Sequence, residues 1–186
     1  MSDSNTDPRL QGLLDREAIR DVLSRYCRGL DRMDRAMAES VWWADGTAFY
    51  DGIFEGTGHE FVEWVWQAHA GMERHSHQIT NVLIDLDGDV AKSEAYVTVV
   101  LWTLADSDGK QAELIGRGRY LDRWSKRGAA WAIDHRIHLL DMSTVFPLAR
   151  NDVSAGSRRD ANDPSFEFVP WSGSPARSLR DGPPSG

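Results

Sequence analysis

An α+β architecture, with helices covering one face of a curved and mostly antiparallel sheet, is what the sequence predicts, and three observations carry it. Apolar residues recur at helical spacing in three stretches that all lie before residue 73. Four long strand-like runs follow, at 74–86, 90–104, 112–124 and 130–145. The connectors Asp87-Gly88-Asp89, Asp106-Ser107-Asp108-Gly109 and Lys126-Arg127-Gly128 are short enough for hairpins. The strands are therefore expected to pair antiparallel, with the helices segregated on one side and a cone-shaped cavity between the layers.

Taken in order, residues 1–9 are polar and expected to be flexible. Leu13, Leu14, Ile19, Val22, Leu23, Tyr26 and Leu30 then mark one face of a long first helix, which Gly29-Leu30-Asp31 ends. Asp31 is out of place there, because a carboxylate at a helix C-terminus faces the negative end of the dipole. Solvation, or capping of a following helix begun by Asp34, would account for it. Arg35 to Ala44 predicts a short second helix ending in Trp42-Trp43. Thr47 to Asp51 predicts a short strand, Gly52, Gly56 and Gly58 a loop, and His59 to Met72 a third helix stopped by Gly71.

The run from Arg74 to Asp89 is the most informative. Alternation sets Thr80, Val82, Ile84 and Leu86 on one face and His75, His77, Ile79, Asn81 and Leu83 on the other. Two imidazoles and a carboxamide among aliphatic groups suit the wall of a half-apolar pocket, and a hydrogen-bonded structural histidine is the plainer alternative. On the last strand Trp131, Ile133, His135, Ile137 and Leu139 fall on one face, and Asp134, Arg136, His138 and Leu140 on the other. Beyond Pro147 the chain turns Pro-, Gly- and Ser-rich, so 148–186 reads as a tail. Phe166, Phe168, Val169 and Trp171 predict that 164–171 docks, on the domain or on a neighbouring subunit.

Composition narrows the function. At 186 residues, 41% hydrophobic and 27% charged, the chain suits one domain over 10–147 plus the tail. A net charge of −8 without a basic run argues against a nucleic-acid partner. The single cysteine, Cys27, allows neither an intrachain disulfide nor a multi-thiolate zinc site. No stretch approaches ~18 uninterrupted apolar residues, so no membrane span is expected, and the polar start lacks the apolar core of a secretion signal. A cytoplasmic protein is the expectation. Eight tryptophans suit an aromatic-lined cavity or a subunit interface.

Gly116-Arg117-Gly118 lacks the third glycine and following helix of a dinucleotide site, and neither a phosphate loop nor a nucleophile elbow is present, so no cofactor is expected. His75-x-His77 resembles half of a metal site, but no cluster offers a third ligand, and no metal is expected either. A metal-free acid–base site needs a group with a pKa near neutrality and a carboxylate to hold it, for which His77 and Asp31 are the candidates.

Four segments, residues 16–31, 41–45, 77–81 and 118–124, resemble the SnoaL-like branch of the nuclear transport factor 2-like superfamily. Its members include scytalone dehydratase, bile acid 7α-dehydratase, hexachlorocyclohexane dehydrochlorinase and diarylpropane lyases. The resemblance covers about residues 10–147 and implies a conical α+β barrel. By position, Asp31 and His77 match the Asp–His dyad of the dehydrochlorinase and Arg136 its last-strand Arg, while Tyr26 matches the Tyr five residues before the Asp in the bile acid dehydratase. Where that dehydratase has a further Asp, this chain has Val99.

The resemblance implies a cofactor-independent lyase acting on a small hydrophobic or aromatic molecule. His77 would take the proton, Asp31 would orient it, Tyr26 and Arg136 would stabilise developing charge, and Trp42, Phe49, Trp64, Asn81 and His138 would contact the substrate. Dehydration, dehydrohalogenation and deformylation all fit. An isomerase of the same fold and a non-catalytic β-subunit of a ring-hydroxylating dioxygenase are the alternatives. A homotrimer is also implied, each tail packing on a neighbour.

Overall fold

A 24-residue helix, α1 (Pro8–Asp31), opens the fold of this computed structural model, which describes residues 7–148 and 156–169. The Asp7 carboxylate accepts from the Arg9 amide at 2.8 Å and Pro8 takes the first helical position, so the helix begins inside the stretch expected to be flexible. Ile19, Leu23, Tyr26, Cys27 and Leu30 form the buried stripe. Continued backward in steps of three and four, that stripe reaches Asp15 and Gly12. Leu13 and Leu14, expected on it, are exposed. Buried Asp15 is satisfied by Lys126 Nζ and Trp131 Nε1, each at 2.8 Å.

Asp34 caps α2 (Arg35–Ser40) by accepting from the Met37 amide at 3.1 Å. The helix stops four residues short of expectation, because Trp42 and Trp43 belong to β1 (Trp42–Tyr50), where Trp42 pairs with Ile133 of the last strand and flat side chains suit an extended backbone. In the expected glycine loop, β2 (Phe54–Thr57) folds back on β1. Thr57 and Glu60 then cap each other's backbone N–H at the start of α3 (Gly58–Ala70). Four long strands follow: β3 (Met72–Asp87), β4 (Val90–Thr103), β5 (Ala112–Arg127) and β6 (Ala130–Pro147). A helical turn, α4 (Ser165–Phe168), lies in the segment after them.

The sheet order is β2-β1-β6-β5-β4-β3, antiparallel except where β1 runs parallel to β6. The sheet is curved but does not close, and β2 and β3 are its edges. With α1 packed on β3 and β6, and α3 on β1, the helices cover one face, which is the expected α+β cone arrangement. No helix among the described residues is long and apolar enough to cross a membrane.

Two bulges re-aim the strands. In β3, Thr80 pairs with Tyr96 but Leu83 with Glu94, and Asn81 takes φ +49°. One extra residue exchanges the faces, so His75, His77 and Ile79 share the inner side with Val82, Ile84 and Leu86. In β6, Trp124 pairs with Ile133 and Arg123 with His135, leaving Asp134 as the extra residue. Trp131 and Ile133 therefore point inward together with Arg136 and His138. The mixed faces read from strict alternation are corrected by these bulges.

Candidate acid–base site

Asp31 is neither solvated nor a cap for α2. It ends α1 against β3, where its Oδ2 accepts from the His77 backbone N–H at 2.9 Å and its Oδ1 lies 2.6 Å from His77 Nδ1. Both partners are nearly enclosed, with 13% of the Asp31 side chain and 5% of the His77 side chain exposed. Burial pushes the Asp31 carboxyl up, but the imidazoles of His75 and His77 and the His77 amide outweigh it and hold the group down at about 2. Those donors also offset the unfavourable helix dipole. An ionised carboxylate only accepts, so His77 Nδ1 carries the proton, and its Nε2, which makes no hydrogen bond among the described residues, is left as the basic atom.

His75 is fully buried with its Nδ1 3.7 Å from the same Asp31 oxygen, too long for a hydrogen bond. The His69 ring lies 4.4 Å from the His75 ring and 6.0 Å from that of His77. Burial pulls His69 down to about 3 and lowers His75 as well, so both are neutral. The rings are tilted against one another, by 32° and 43°, and among the described residues no group of three His, Cys, Asp or Glu is arranged to hold a metal ion. A cleft of about 350 Å³ between α1 and β3 is lined by Cys27, Asp31, His77 and Ile79, with Ser24, Arg28 and Arg32 at its side.

Inside the cone, beyond the pair, sits a second polar cluster. Arg136 is fully enclosed and bidentate to Asp122, at 2.7 and 2.8 Å, and its guanidinium lies between the rings of Tyr26 and Tyr120, 4.3 and 4.0 Å from their centroids. Burial works against its charge, but the Asp122 carboxylate prevails and raises its pKa. Its third nitrogen, Nη1, has no hydrogen-bond partner among the described residues. The Tyr26 and Tyr50 hydroxyls are 2.7 Å apart, and burial pushes both phenols, with that of Tyr120, well above their ordinary value. His138 lies against the rings of Tyr50 and Tyr120, 5.1 and 5.4 Å away. Burial and the nearby Arg136 charge pull it down to about 4.

Of the residues expected to meet a substrate, Trp42 and His138 face this interior. Trp42 is buried, its Nε1 has no hydrogen-bond partner among the described residues, and Gly58 makes room for its indole, since a Cβ there would lie 2.2 Å from a ring atom. Three others do not face it. Phe49 points to the opposite side of β1 from buried Ala48 and Tyr50, because strand side chains alternate. Trp64 sits 37% exposed on α3, stacked on Phe61. Asn81 is turned outward by its own bulge. The sequence reading omits Tyr50, Tyr120 and Asp122, although plain alternation carries their signal, setting Tyr50 inward with Ala48, and Tyr120 and Asp122 inward with Gly118 and Trp124. For the bulged strands the signal is two apolar sets on opposite nominal faces of one strand, meeting at an Asn or an Asp.

The segment after the cone docks beside the pair. Asp163 accepts from Arg32 Nη1 (3.3 Å), the Arg158 amide (2.8 Å), and the Ser165 hydroxyl and amide. Arg74 donates to the Ser157 carbonyl at 2.8 Å, and the Arg28 guanidinium lies over the Phe166 ring at 4.8 Å. Phe168 does not pack on its own domain and is 88% exposed on this chain, since it follows the last of these anchors. Trp171 lies outside the described residues, as do 1–6, 149–155 and 170–186.

Among curated proteins, none matches the chain in sequence. Solved structures do. A type 2 hexachlorocyclohexane dehydrochlorinase (LinA) superposes with a TM-score of 0.67 at 20% identity, covering 79% of this chain and 97% of its own. A provisionally assigned scytalone dehydratase from Novosphingobium aromaticivorans gives 0.65 at 20% identity, over 77% and 97%. Rv3472 from Mycobacterium tuberculosis, described as of unknown function, gives 0.61 at 28% identity, over 74% and 78%. These likenesses establish the shared cone fold. Residues 11–137, most of the described cone, match the SnoaL-like domain, and the chain belongs to that family.

Proposed function

We propose that the protein is a cofactor-independent acid–base enzyme of the lyase type, acting on a small, largely apolar molecule, aromatic by preference. The observation that carries this reading is the double contact of Asp31 with His77, at 2.6 and 2.9 Å, which leaves one imidazole nitrogen as an oriented base. In the proposed step His77 Nε2 takes a proton from a C–H group. The C–H pair becomes the new π bond, and the group on the adjacent carbon leaves with its bonding pair. Asp31 stays ionised throughout and stabilises the imidazolium. Tyr26, donating as a neutral phenol beside Tyr50, and Arg136, through Nη1, stabilise charge on the substrate oxygen or leaving group.

Dehydration and dehydrohalogenation follow this scheme, and an isomerase would share its first step. In a deformylation His77 would instead take the O–H proton of a hydroxymethyl group. The O–H pair then becomes the C=O of the released formaldehyde, while the C–C pair becomes the new π bond and expels a hydroxyl on the adjacent carbon as water. What favours the enzymatic reading over a scaffold role is the cost of the interior. A non-catalytic subunit gains nothing from a buried guanidinium nitrogen and an indole N–H that have no hydrogen-bond partner among the described residues.

The test is a panel of aryl substrates bearing an acidic C–H beside a hydroxyl, halide or hydroxymethyl group, followed in D₂O by mass spectrometry for elimination and exchange. The native chain should turn over at least one class, with His77→Ala slower by ~10²–10⁴. A folded His77→Ala protein keeping more than about a tenth of native turnover would sink the proposal.

A further inference from the structure

We propose that Arg159, from the segment following the cone, is a positioning residue for the acid–base pair, acting by fixing the tautomer of His75 so that a neutral N–H faces Asp31. Arg159 Nη1 lies 2.9 Å from His75 Nε2 and 2.9 Å from the His69 carbonyl oxygen. A guanidinium can only donate, so His75 Nε2 must accept. A neutral imidazole has a single N–H, which then resides on Nδ1. That atom is buried, has no hydrogen-bond partner among the described residues, and stands 3.7 Å from the Asp31 oxygen that His77 holds at 2.6 Å.

The arrangement solves an electrostatic problem. Asp31 needs positive dipoles around it to stay ionised, yet a second imidazolium beside it would compete with the one His77 forms during turnover. A neutral His75 with its N–H inward supplies the dipole without the charge. The groups around His75 are Asp31 from α1, His69 from α3, His77 on its own strand and Arg159, with Arg32, Arg74 and Glu73 near the latter. Among the described residues only Arg159 reaches Nε2. The segment is pinned by Asp163 to Arg32 and by Ser157 to Arg74, which holds the guanidinium in place.

This deepens the acid–base reading and rests on it for its purpose, but the geometry can be tested without turnover. The full chain, labelled with ¹⁵N-histidine, is examined by long-range ¹H–¹⁵N NMR over roughly pH 5–8, with the His75 signals assigned by their loss in His75→Gln. In the native chain His75 should stay neutral with Nδ1 protonated. In Arg159→Met it should shift toward the Nε2–H form or begin to titrate in that window, and Arg159→Lys, which restores a donor, should reverse the change in part. A native His75 with Nε2 protonated overturns the proposal, as does an unchanged tautomer and titration in folded Arg159→Met. If Arg159→Met does not fold, the native tautomer alone decides. With an active substrate, the acid limb of the kcat profile should move by about 0.5 pH unit or more in Arg159→Met. If the native chain turns over nothing, the lyase reading falls while the tautomer result stands.

Discussion

Asp122 and Arg136 face each other across β5 and β6 with both side chains fully enclosed, so neither can lose its partner cheaply. Arg136→Met leaves a buried carboxylate unpaired and should cost about 3–5 kcal/mol, while the double variant Asp122→Leu/Arg136→Met should recover most of that. Thermal melts of the two singles and the double decide it, and equal losses in all three would show that the pair is not coupled. The double variant also separates structure from chemistry. If it melts like the native chain yet has lost turnover, Arg136 acts on the substrate; if both survive, the buried ion pair is packing alone. Asp31→Asn is the matching test at the pair itself. It keeps the shape but removes the charge that favours the imidazolium, so turnover should fall by ~10²–10⁴ with kcat more affected than KM.

At the scale of the strand, what a side chain can do is decided by the bulges. Asn81 is the extra residue of its bulge, so deleting it restores strict alternation with His75, His77, Ile79, Val82, Ile84 and Leu86 still on one face. The shortened chain should therefore fold and keep its turnover, and Asn81→Gly, which tolerates φ +49°, should also melt within a few degrees of native. A deletion variant that fails to fold in thermal melts would show that the bulge does more than set the register. The same bulges explain how much was legible beforehand. The helices were readable from α1's stripe and from the apolar spacing of α3 up to its stop at Gly71, and the long hairpins from their Gly-containing turns, because those signals are local. Trp42-Trp43 misled because aromatic residues suit a helix end and a strand start alike, and the parallel pairing with β6 that decides it is remote in sequence. The meeting of Asp31 and His77 was suggested by family resemblance, not by spacing. Nothing local marks Arg159 as a neighbour of His75, since their contact spans 84 positions.

Across the whole molecule, the site concentrates titratable groups in a small interior, and this makes stability depend on pH in a stated direction. His138 and His69 are held at about 4 and about 3, below the ordinary histidine value of 6.5, by burial. Between those values and 6.5 the unfolded chain binds protons that the folded chain refuses, so stability falls as pH drops through that range. Each group can contribute on the order of 3–5 kcal/mol at most, reduced by residual exposure and by coupling between neighbours. Asp31 acts in the next window. Its pKa is depressed from 3.8 to about 2, so its contribution is complete above pH 4 and is lost as pH falls toward 2, on the order of 2 kcal/mol. The melting temperature should thus decline from about pH 6.5 downward, in two stages. His69→Gln, which removes one imidazole outside the proposed chemistry, should flatten the upper stage, and Asp31→Asn should flatten only the lower one. Calorimetry at half-unit pH steps reads both, and a melting temperature that holds level between pH 7 and 4 would show that these imidazoles are open to solvent protons in the folded chain.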